Sequence, residues 1–136
     1  MSHTLPASAR MTAYSFVFAV LMSATSSAPT PLYHLYQSLF HLSPGMVTMI
    51  FGSYAFALLA ALLVFGSLSD HLGRRPLILL SLMLNATALI IFITADSAGM
   101  LIAARIVQGF ATGIALPTFG AAVLDGGSRH ASLLNS

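Results

Sequence analysis

The sequence predicts an all-α integral membrane protein with four transmembrane helices. Of its 136 residues, 57% are hydrophobic and only 6% are charged, whereas charged residues make up about 25% of ordinary globular chains. Five basic and three acidic residues cannot cover the surface of a soluble domain of this size. A transmembrane helix needs about 20 apolar residues, so four such helices account for the apolar content. The composition therefore excludes a soluble enzyme, a nucleic-acid-binding module and a disordered tail.

Charge-free stretches and helix-breaking residues set the limits of these helices. No charged residue lies between Arg10 and Asp70, and the Ser-Pro-Gly sequence at 43–45 divides that stretch in two. Within the first span, Pro29 and Pro31 predict a kink or an early end. The four predicted spans cover about residues 13–37, 46–67, 77–95 and 99–124.

Arginines fall on only one side of the predicted membrane. The loops on the other side, at 38–45 and 96–98, contain no arginine or lysine. Because positively charged loops stay in the cytoplasm, both termini are predicted to be cytoplasmic, in a multi-pass protein of the inner (plasma) membrane. The arginines on the cytoplasmic side are Arg10, Arg74, Arg75 and Arg129.

The N-terminal segment has a second interpretation. Arg10, followed by the apolar residues 14–22 and the small residues 26–28, has the layout of a cleavable signal peptide. Pro29 directly after that site argues against cleavage. The remaining helices would keep the same orientation in either case.

No motif in the chain carries catalytic or metal-binding chemistry. The sequence has no cysteine, which rules out a disulfide, a thiolate metal site and a cysteine nucleophile. It also lacks an H-E-x-x-H sequence, a Walker loop and a Ser–His–Asp set, and its dispersed arginines are too few to neutralise many phosphates of a nucleic acid. We therefore expect no enzyme activity, no metal, no cofactor and no nucleic-acid partner.

The polar connection at 68–76, with the end of the second span, is the most informative stretch of the chain. Gly66 allows a close approach of a neighbouring backbone, and Gly73 permits a tight turn. Asp70 is placed to accept hydrogen bonds from the N–H groups of a nearby helix start. The residues that form this pattern are Gly66, Leu68, Asp70, Gly73, Arg74 and Arg75.

This pattern resembles the signature loop G-x-L-a-D-r-x-G-r-k of the major facilitator superfamily, which lies between the second and third helices of its members. The sequence departs from the signature at Ser69 and His71. An ordinary positively charged turn would explain the two arginines but not the glycines and the aspartate together. The resemblance implies that the loop controls the inward-facing gate of a transporter.

Arg105 is the one charged residue inside a predicted span. A charge near the bilayer centre costs at least about 2.5–3.5 kcal/mol, so its side chain is expected to face the protein interior or a water-filled cavity. Gln108 lies on the same helix face. The sequence from Arg105 to Gly109 resembles the fourth-helix pattern R-x-x-q-G of the same family, which implies that Arg105 and Gln108 belong to the substrate or proton path. The alternative is that Arg105 snorkels to the outer interface.

Other polar and small residues in the spans have structural or functional interpretations that the sequence leaves open. Gly109 and Gly113 form a G-x-x-x-G pair that favours close helix packing, and Pro117 predicts a kink. The polar residues of the first span either line a cavity or bond to neighbouring backbone; they are Ser23, Thr25, Ser26 and Ser27.

Tyrosines near the outer boundary of the first span predict an anchor. Tyr33 and Tyr36, with His34 between them, have the composition typical of side chains at a membrane–water interface. We expect these residues to fix the height of the helix in the bilayer.

The resemblance covers residues 10–136, which correspond to about the first four helices of a typical family member. The fold it implies is a partial N-terminal half: one three-helix repeat and the first helix of the next. The function it implies is secondary active transport of a small solute, with proton-coupled efflux of a drug-like compound or metabolite. The implied partners are the lipid bilayer, the solute, a proton, and a missing C-terminal half or an oligomeric partner.

A four-helix membrane chain has two other candidate functions. Small four-helix exporters that work as dimers depend on a glutamate in the first span, and this chain has no glutamate. A non-transporting membrane interaction subunit, or an inert gene remnant, remains an alternative, in which the face of Gly109 and Gly113 would pair with another helix.

Overall fold

The computed structural model describes residues 7–28, 30–67 and 69–134, without the side chains of residues 7, 8, 11, 69, 70, 122, 123 and 125–134. All regular elements in this part of the chain are helices, which confirms the predicted all-α class. The helices are α1 (Ala7–Ser27), α2 (Tyr33–Phe40), α3 (Pro44–Phe65), α4 (Ser69–Leu72), α5 (Arg74–Thr94) and α6 (Ala98–Leu134).

Three of these helices are long and apolar enough to cross a bilayer. They are α3, α5 and the segment Ala98–Ala121 of α6. In α1 the apolar part, Thr12–Ser27, is shorter. Large hydrophobic side chains on the outer faces of the bundle are exposed, among them Phe56, Leu63 and Ile93, as expected for helices whose surroundings are lipid.

The first predicted span, 13–37, consists of two helices. The helix α1 ends at Ser27, a turn follows in which the amide of Thr30 donates to the carbonyl of Ser27 at 3.0 Å, and α2 begins at Tyr33. Pro31 has no N–H to continue the helical ladder, which accounts for the interruption. The break leaves the last carbonyl groups of α1 without partners in their own helix.

Local sequence also explains how the next helices begin. Ser43 caps α3, because its Oγ accepts from the amide of Met46 at 3.3 Å, and Pro44 occupies the first turn, where its missing N–H has no cost. Gly73 precedes α5 with φ of 79°, a conformation that glycine adopts without strain. The predicted connection at 68–76 therefore contains the one-turn helix α4 and the first residues of α5.

The fourth predicted span, 99–124, is part of a longer helix. α6 continues to Leu134 through the Asp-Gly-Gly sequence at 125–127. A glycine within a helix costs about 1 kcal/mol but removes no backbone hydrogen bond, so two glycines need not end a helix. Pro117 lies within α6.

The helix α6 is the centre of the bundle and contacts α3, α5 and α1. Gly109 and Gly113 face α3 so closely that an added Cβ at Gly113 would lie 2.6 Å from both the carbonyl oxygen of Leu58 and the Cβ of Ala61. At Gly109 the corresponding distance to the carbonyl oxygen of Tyr54 is 2.5 Å. Small residues permit this approach, and close packing stabilises helix pairs in membranes where the hydrophobic effect between helices is absent.

We predict that Gly113→Ala weakens the contact between α3 and α6. The new methyl group meets backbone atoms that cannot move aside. Such overpacking costs roughly 1–3 kcal/mol, and for a contact this close we expect the upper part of that range, which exceeds the roughly 1 kcal/mol gained in helix propensity. The matched control is Gly52→Ala in α3, where an added Cβ meets nothing within 4 Å. Unfolding by increasing concentrations of a denaturing detergent, followed by circular dichroism, should show a lower free energy of unfolding for Gly113→Ala and no decrease for the control. Equal stability of the two variants would contradict the packing role.

Candidate functional site

Arg105 lies inside the bundle, with 2% of its surface exposed. Its Nε donates to the hydroxyl of Tyr33 at 2.6 Å. Its Nη1 donates to the side-chain oxygen of Gln108 at 2.9 Å and to the backbone carbonyl of Ser26 at 3.2 Å. The guanidinium thus joins α6 to the segments on both sides of the break between α1 and α2. The alternative prediction, that the Arg105 side chain snorkels to the outer interface, is wrong.

Aromatic rings surround the guanidinium. The ring centroids of Tyr33, Phe51, Tyr54 and Phe92 lie 5.3, 5.3, 5.4 and 5.7 Å from its Cζ atom. These rings come from α2, α3 and α5. A cation near an aromatic face is stabilised by the ring quadrupole, and the more so when it is desolvated.

The charge of Arg105 is therefore accommodated without a counterion from the spans. The three acidic residues, Asp70, Asp96 and Asp125, all lie outside the candidate membrane spans. Removing an ion from water costs several kcal/mol, and here hydrogen-bond acceptors and ring faces offset that cost. The acceptor at Ser26 is also near the C-terminus of α1, where the helix dipole favours a positive charge.

Gln108 is fully buried and connects Arg105 to the end of α1. Its side-chain oxygen accepts from Arg105, and its Nε2 donates to the carbonyl oxygen of Thr25 at 2.8 Å. The carbonyls of Thr25 and Ser26 belong to the last turn of α1, which has no amide donors of its own for them. Arg105 and Gln108 supply these donors from another helix, so together they cap α1.

A second polar contact ties the same turn to α5. Nδ2 of Asn85 donates to Oγ1 of Thr25 at 2.8 Å, while that hydroxyl donates back to the carbonyls of Leu21 and Met22. Because the Thr25 proton is used in its own helix, the amide group of Asn85 has to be the donor. Among the described residues, Oδ1 of Asn85 is the buried side-chain atom that has no hydrogen-bond partner.

A groove between α1, α3 and α6, which we call the polar groove, lies next to this cluster. Its volume is about 380 Å³. Ser26 lines it, and its hydroxyl lies 3.3 Å from that of Thr112, which donates to the carbonyl of Gln108 at 3.0 Å. Arg105 and Gln108 are behind its wall and do not line it. The lining residues are Ala19, Met22, Ser23, Ser26, Ser27, Tyr54, Thr112, Ala115, Leu116 and Phe119.

A second groove lies between α1, α5 and α6 at the end where α5 begins. We call it the outer groove, a name that does not refer to a side of the membrane. Its volume is about 240 Å³. Stacked rings of Phe18 and Phe119, 4.9 Å apart and inclined by 13°, form part of its wall, and Phe119 lines both grooves. The lining residues are Tyr14, Ser15, Phe18, Arg74, Arg75, Ile78, Thr118 and Phe119.

The signature-loop residues that the structure describes lie far from Arg105. Thr118, beside Arg74 and Arg75 in the outer groove, is 13 residues beyond Arg105, or about 20 Å along α6. The amide of Gly66 donates to the carbonyl of Leu62 at 2.8 Å at the end of α3. Leu68 and the side chain of Asp70 lie outside the described residues.

Sequence reasoning missed Tyr33. The expected role as an interfacial anchor is wrong, because Tyr33 is 6% exposed and holds Arg105. The signal that could have identified it is the pair of prolines at 29 and 31 in the sequence, which predicts an end of the first helix before Tyr33. The hydroxyl of Tyr36 donates to the carbonyl of Phe92 at 3.3 Å, so this tyrosine also has an interior partner.

Comparison with known proteins identifies the family. Residues 13–127 match the model of the Major Facilitator Superfamily. The chain is 36% identical to Multidrug resistance protein D of Escherichia coli (strain K12) over 70 residues, 52% of this chain and 18% of that protein. It is also 36% identical to the Triacylglyceride transporter of Mycolicibacterium hassiacum over 84 residues, 62% of this chain and 16% of that protein.

No solved structure matches the chain. The aligned segments span less than a fifth of each of these relatives. The family model, in contrast, covers most of the chain, from the apolar part of α1 through the membrane segment of α6. The chain therefore belongs to the major facilitator superfamily.

Proposed function

We propose that this chain forms part of the path of a secondary active transporter for a small solute, and that the solute contacts the polar groove. The observation that carries the proposal is the buried guanidinium of Arg105, which caps α1 directly behind the groove wall at Ser26. A membrane protein retains a buried charge in a span at considerable cost, and such residues are typical of transport pathways. The family and the names of both relatives support transport.

The roles of Arg105 and Gln108 in this proposal follow from their burial. Both side chains have almost no exposed surface, so they act on the solute through the wall that they hold. If α1 moves during transport, the carbonyls of Thr25 and Ser26 leave their donors, and the guanidinium becomes available to the solute or to a carboxylate. This exchange is the means by which Arg105 and Gln108 would belong to the substrate or proton path.

The proposed membrane arrangement places four spans in the order α1 with α2, α3, α5 and α6. The positive-inside rule places Arg74 and Arg75 on the cytoplasmic side of the inner membrane, together with both termini. The connection at 68–76 would then control the inward-facing gate. The opposite wall of the path would come from a C-terminal half or from an oligomeric partner.

For the direction of transport we propose efflux of a drug-like compound or metabolite in exchange for protons. The name Multidrug resistance protein D connects that relative with resistance to drugs, which supports this proposal. The apolar side chains of the polar groove, with hydroxyl groups between them, suit an amphipathic solute.

We predict that Arg105→Ala impairs transport while the protein remains in the membrane. Loss of a hydrogen bond to a charged group costs about 1.5–3 kcal/mol, so we expect solute efflux to fall about tenfold or more in cells that express the complete gene. Arg105→Lys should restore only part of the activity, because an ammonium cannot reproduce the planar fork of donors. Efflux of a fluorescent amphipathic compound measures the activity, and membrane fractionation measures protein level.

The matched control for this experiment is Arg10→Ala, which removes an exposed arginine outside the cluster. It should leave efflux unchanged. Normal efflux by Arg105→Ala at normal protein level would refute the role of Arg105 in the path.

A further prediction concerns the bonds that hold Arg105. Tyr33→Phe keeps the ring against the guanidinium but removes the acceptor for Nε, and it should lower the free energy of unfolding by about 1.5–3 kcal/mol. Tyr36→Phe removes a neutral hydrogen bond and should cost about 1 kcal/mol. Unfolding in detergent micelles compares the two variants, and an equal loss would mean that the charge of Arg105 adds nothing to the bond.

A further inference from the structure

The polar groove has a polar end and an apolar end. Ser26 and Thr112 meet at the polar end, where their hydroxyl oxygens lie 3.3 Å apart. Leu116 and Phe119, one and two turns further along α6, line the other end, and Phe119 stacks there on the ring of Phe18. A solute that matches this groove therefore has one polar end and one apolar end.

Three hydroxyl groups of the groove are not used by the fold. They belong to Ser23, Ser27 and Tyr54, which line the groove and whose hydroxyls make no hydrogen bond within the described part of the chain. Ser23 and Ser27 are four residues apart and so share one face of α1. The hydroxyls of Ser26 and Thr112, in contrast, contact each other. A hydroxyl group can donate or accept, so the nearby charge decides which head group the free hydroxyls favour.

That charge is positive and lies directly behind the polar end. The ring centroid of Tyr54 is 5.4 Å from Cζ of Arg105, and the carbonyl of Ser26 accepts from its Nη1 at 3.2 Å. The hydrogen-bond partners of the guanidinium are neutral groups, so they do not cancel its charge. The negative end of the α1 dipole amounts to about half an elementary charge and offsets only part of it. The potential at the polar end therefore favours an anionic head group.

We propose that the solute of the polar groove is an amphipathic anion, an inference that rests on the proposed function. Its head group, such as a carboxylate, accepts from the hydroxyls of Tyr54 and Ser27, and its apolar part packs against Leu116 and Phe119. The inference adds to the transport path the sign of charge that it accepts and the orientation of the solute. It also assigns to Tyr54 the role of a specificity-determining residue.

Three probes that share one apolar part test the charge preference. They are phenylbutyrate, phenylbutanol and phenylbutylammonium, which differ only in the head group. Equilibrium dialysis of the radiolabelled probes against the purified protein from the complete gene, in phosphatidylcholine nanodiscs, measures binding after subtraction of empty nanodiscs. We expect phenylbutyrate to bind roughly tenfold more tightly than phenylbutylammonium, because the guanidinium attracts one charge and repels the other. Phenylbutanol should bind with an affinity between these two.

Two variants at the polar end test the position of the head group. Tyr54→Phe keeps the ring against Arg105 but removes the hydroxyl, and it should weaken binding of phenylbutyrate roughly tenfold with no loss for phenylbutylammonium. Ser27→Ala should also weaken binding of phenylbutyrate, and it keeps the test decisive if Tyr54→Phe does not fold, which circular dichroism reports. The matched control is Tyr14→Phe, which removes the hydroxyl of an exposed tyrosine outside the polar groove and should leave binding unchanged.

A variant that fills the groove tests the site itself. Ala19→Phe places a ring at the apolar end and should abolish binding of all three probes. Val20→Phe is the matched control, because Val20 is 50% exposed and does not line the polar groove. This variant should bind the probes as the unchanged protein does.

The outcomes separate this inference from the proposed function. Groove-dependent binding that is as tight for phenylbutylammonium or phenylbutanol as for phenylbutyrate would overturn the preference for an anion and leave the proposed function standing. Unchanged binding of phenylbutyrate by Tyr54→Phe and by Ser27→Ala would refute the position of the head group. Absence of probe binding, or full retention of the probes by a folded Ala19→Phe variant, would mean that the polar groove does not contact the solute and would overturn the proposed function as well.

Discussion

The capping of α1 by a charge from another helix is the interaction on which the other features of this bundle depend. Because α1 ends at Ser27, the carbonyls of Thr25 and Ser26 lack donors in their own helix, and Arg105 and Gln108 provide them. These bonds stabilise both the carbonyls of α1 and the guanidinium of Arg105, because either group would be costly without a partner in a low-dielectric interior. The same bonds bring Tyr33 into the bundle and fix the groove wall at Ser26.

This arrangement requires α6 to lie close to its neighbours on two sides by different means. Gly109 and Gly113 bring α6 against the backbone of α3, where contact between small residues leaves little room for adjustment. Towards α1 the contacts include hydrogen bonds of side chains, such as the one between Ser26 and Thr112, as well as the stacked rings of Phe18 and Phe119. Polar contacts of this kind can exchange partners, whereas the glycine contact cannot, so movement in the proposed transporter is easier between α6 and α1.

The sequence was sufficient to predict the class of fold from the apolar runs and the family from a local motif. It also predicted that Arg105 is buried, because a charge in a bilayer is costly. The hydrogen-bond partners of Arg105 could not be predicted from the sequence. Tyr33 is 72 residues away in the chain, and no local pattern reports such a contact. The end of α6 could not be predicted either, because an Asp-Gly-Gly sequence lowers helix propensity without preventing a helix.

The distribution of charge between the two grooves limits what each can recognise. None of the side chains that line the polar groove is charged, whereas the outer groove contains two arginines. The guanidinium of Arg105, behind the wall of the polar groove, is positive and already bonded to Tyr33, Gln108 and Ser26. A solute in the polar groove therefore meets hydroxyl groups, apolar surface and a weak positive field. This wall consequently offers no counter-charge to a cation, and any such group in the path would have to come from the opposite wall.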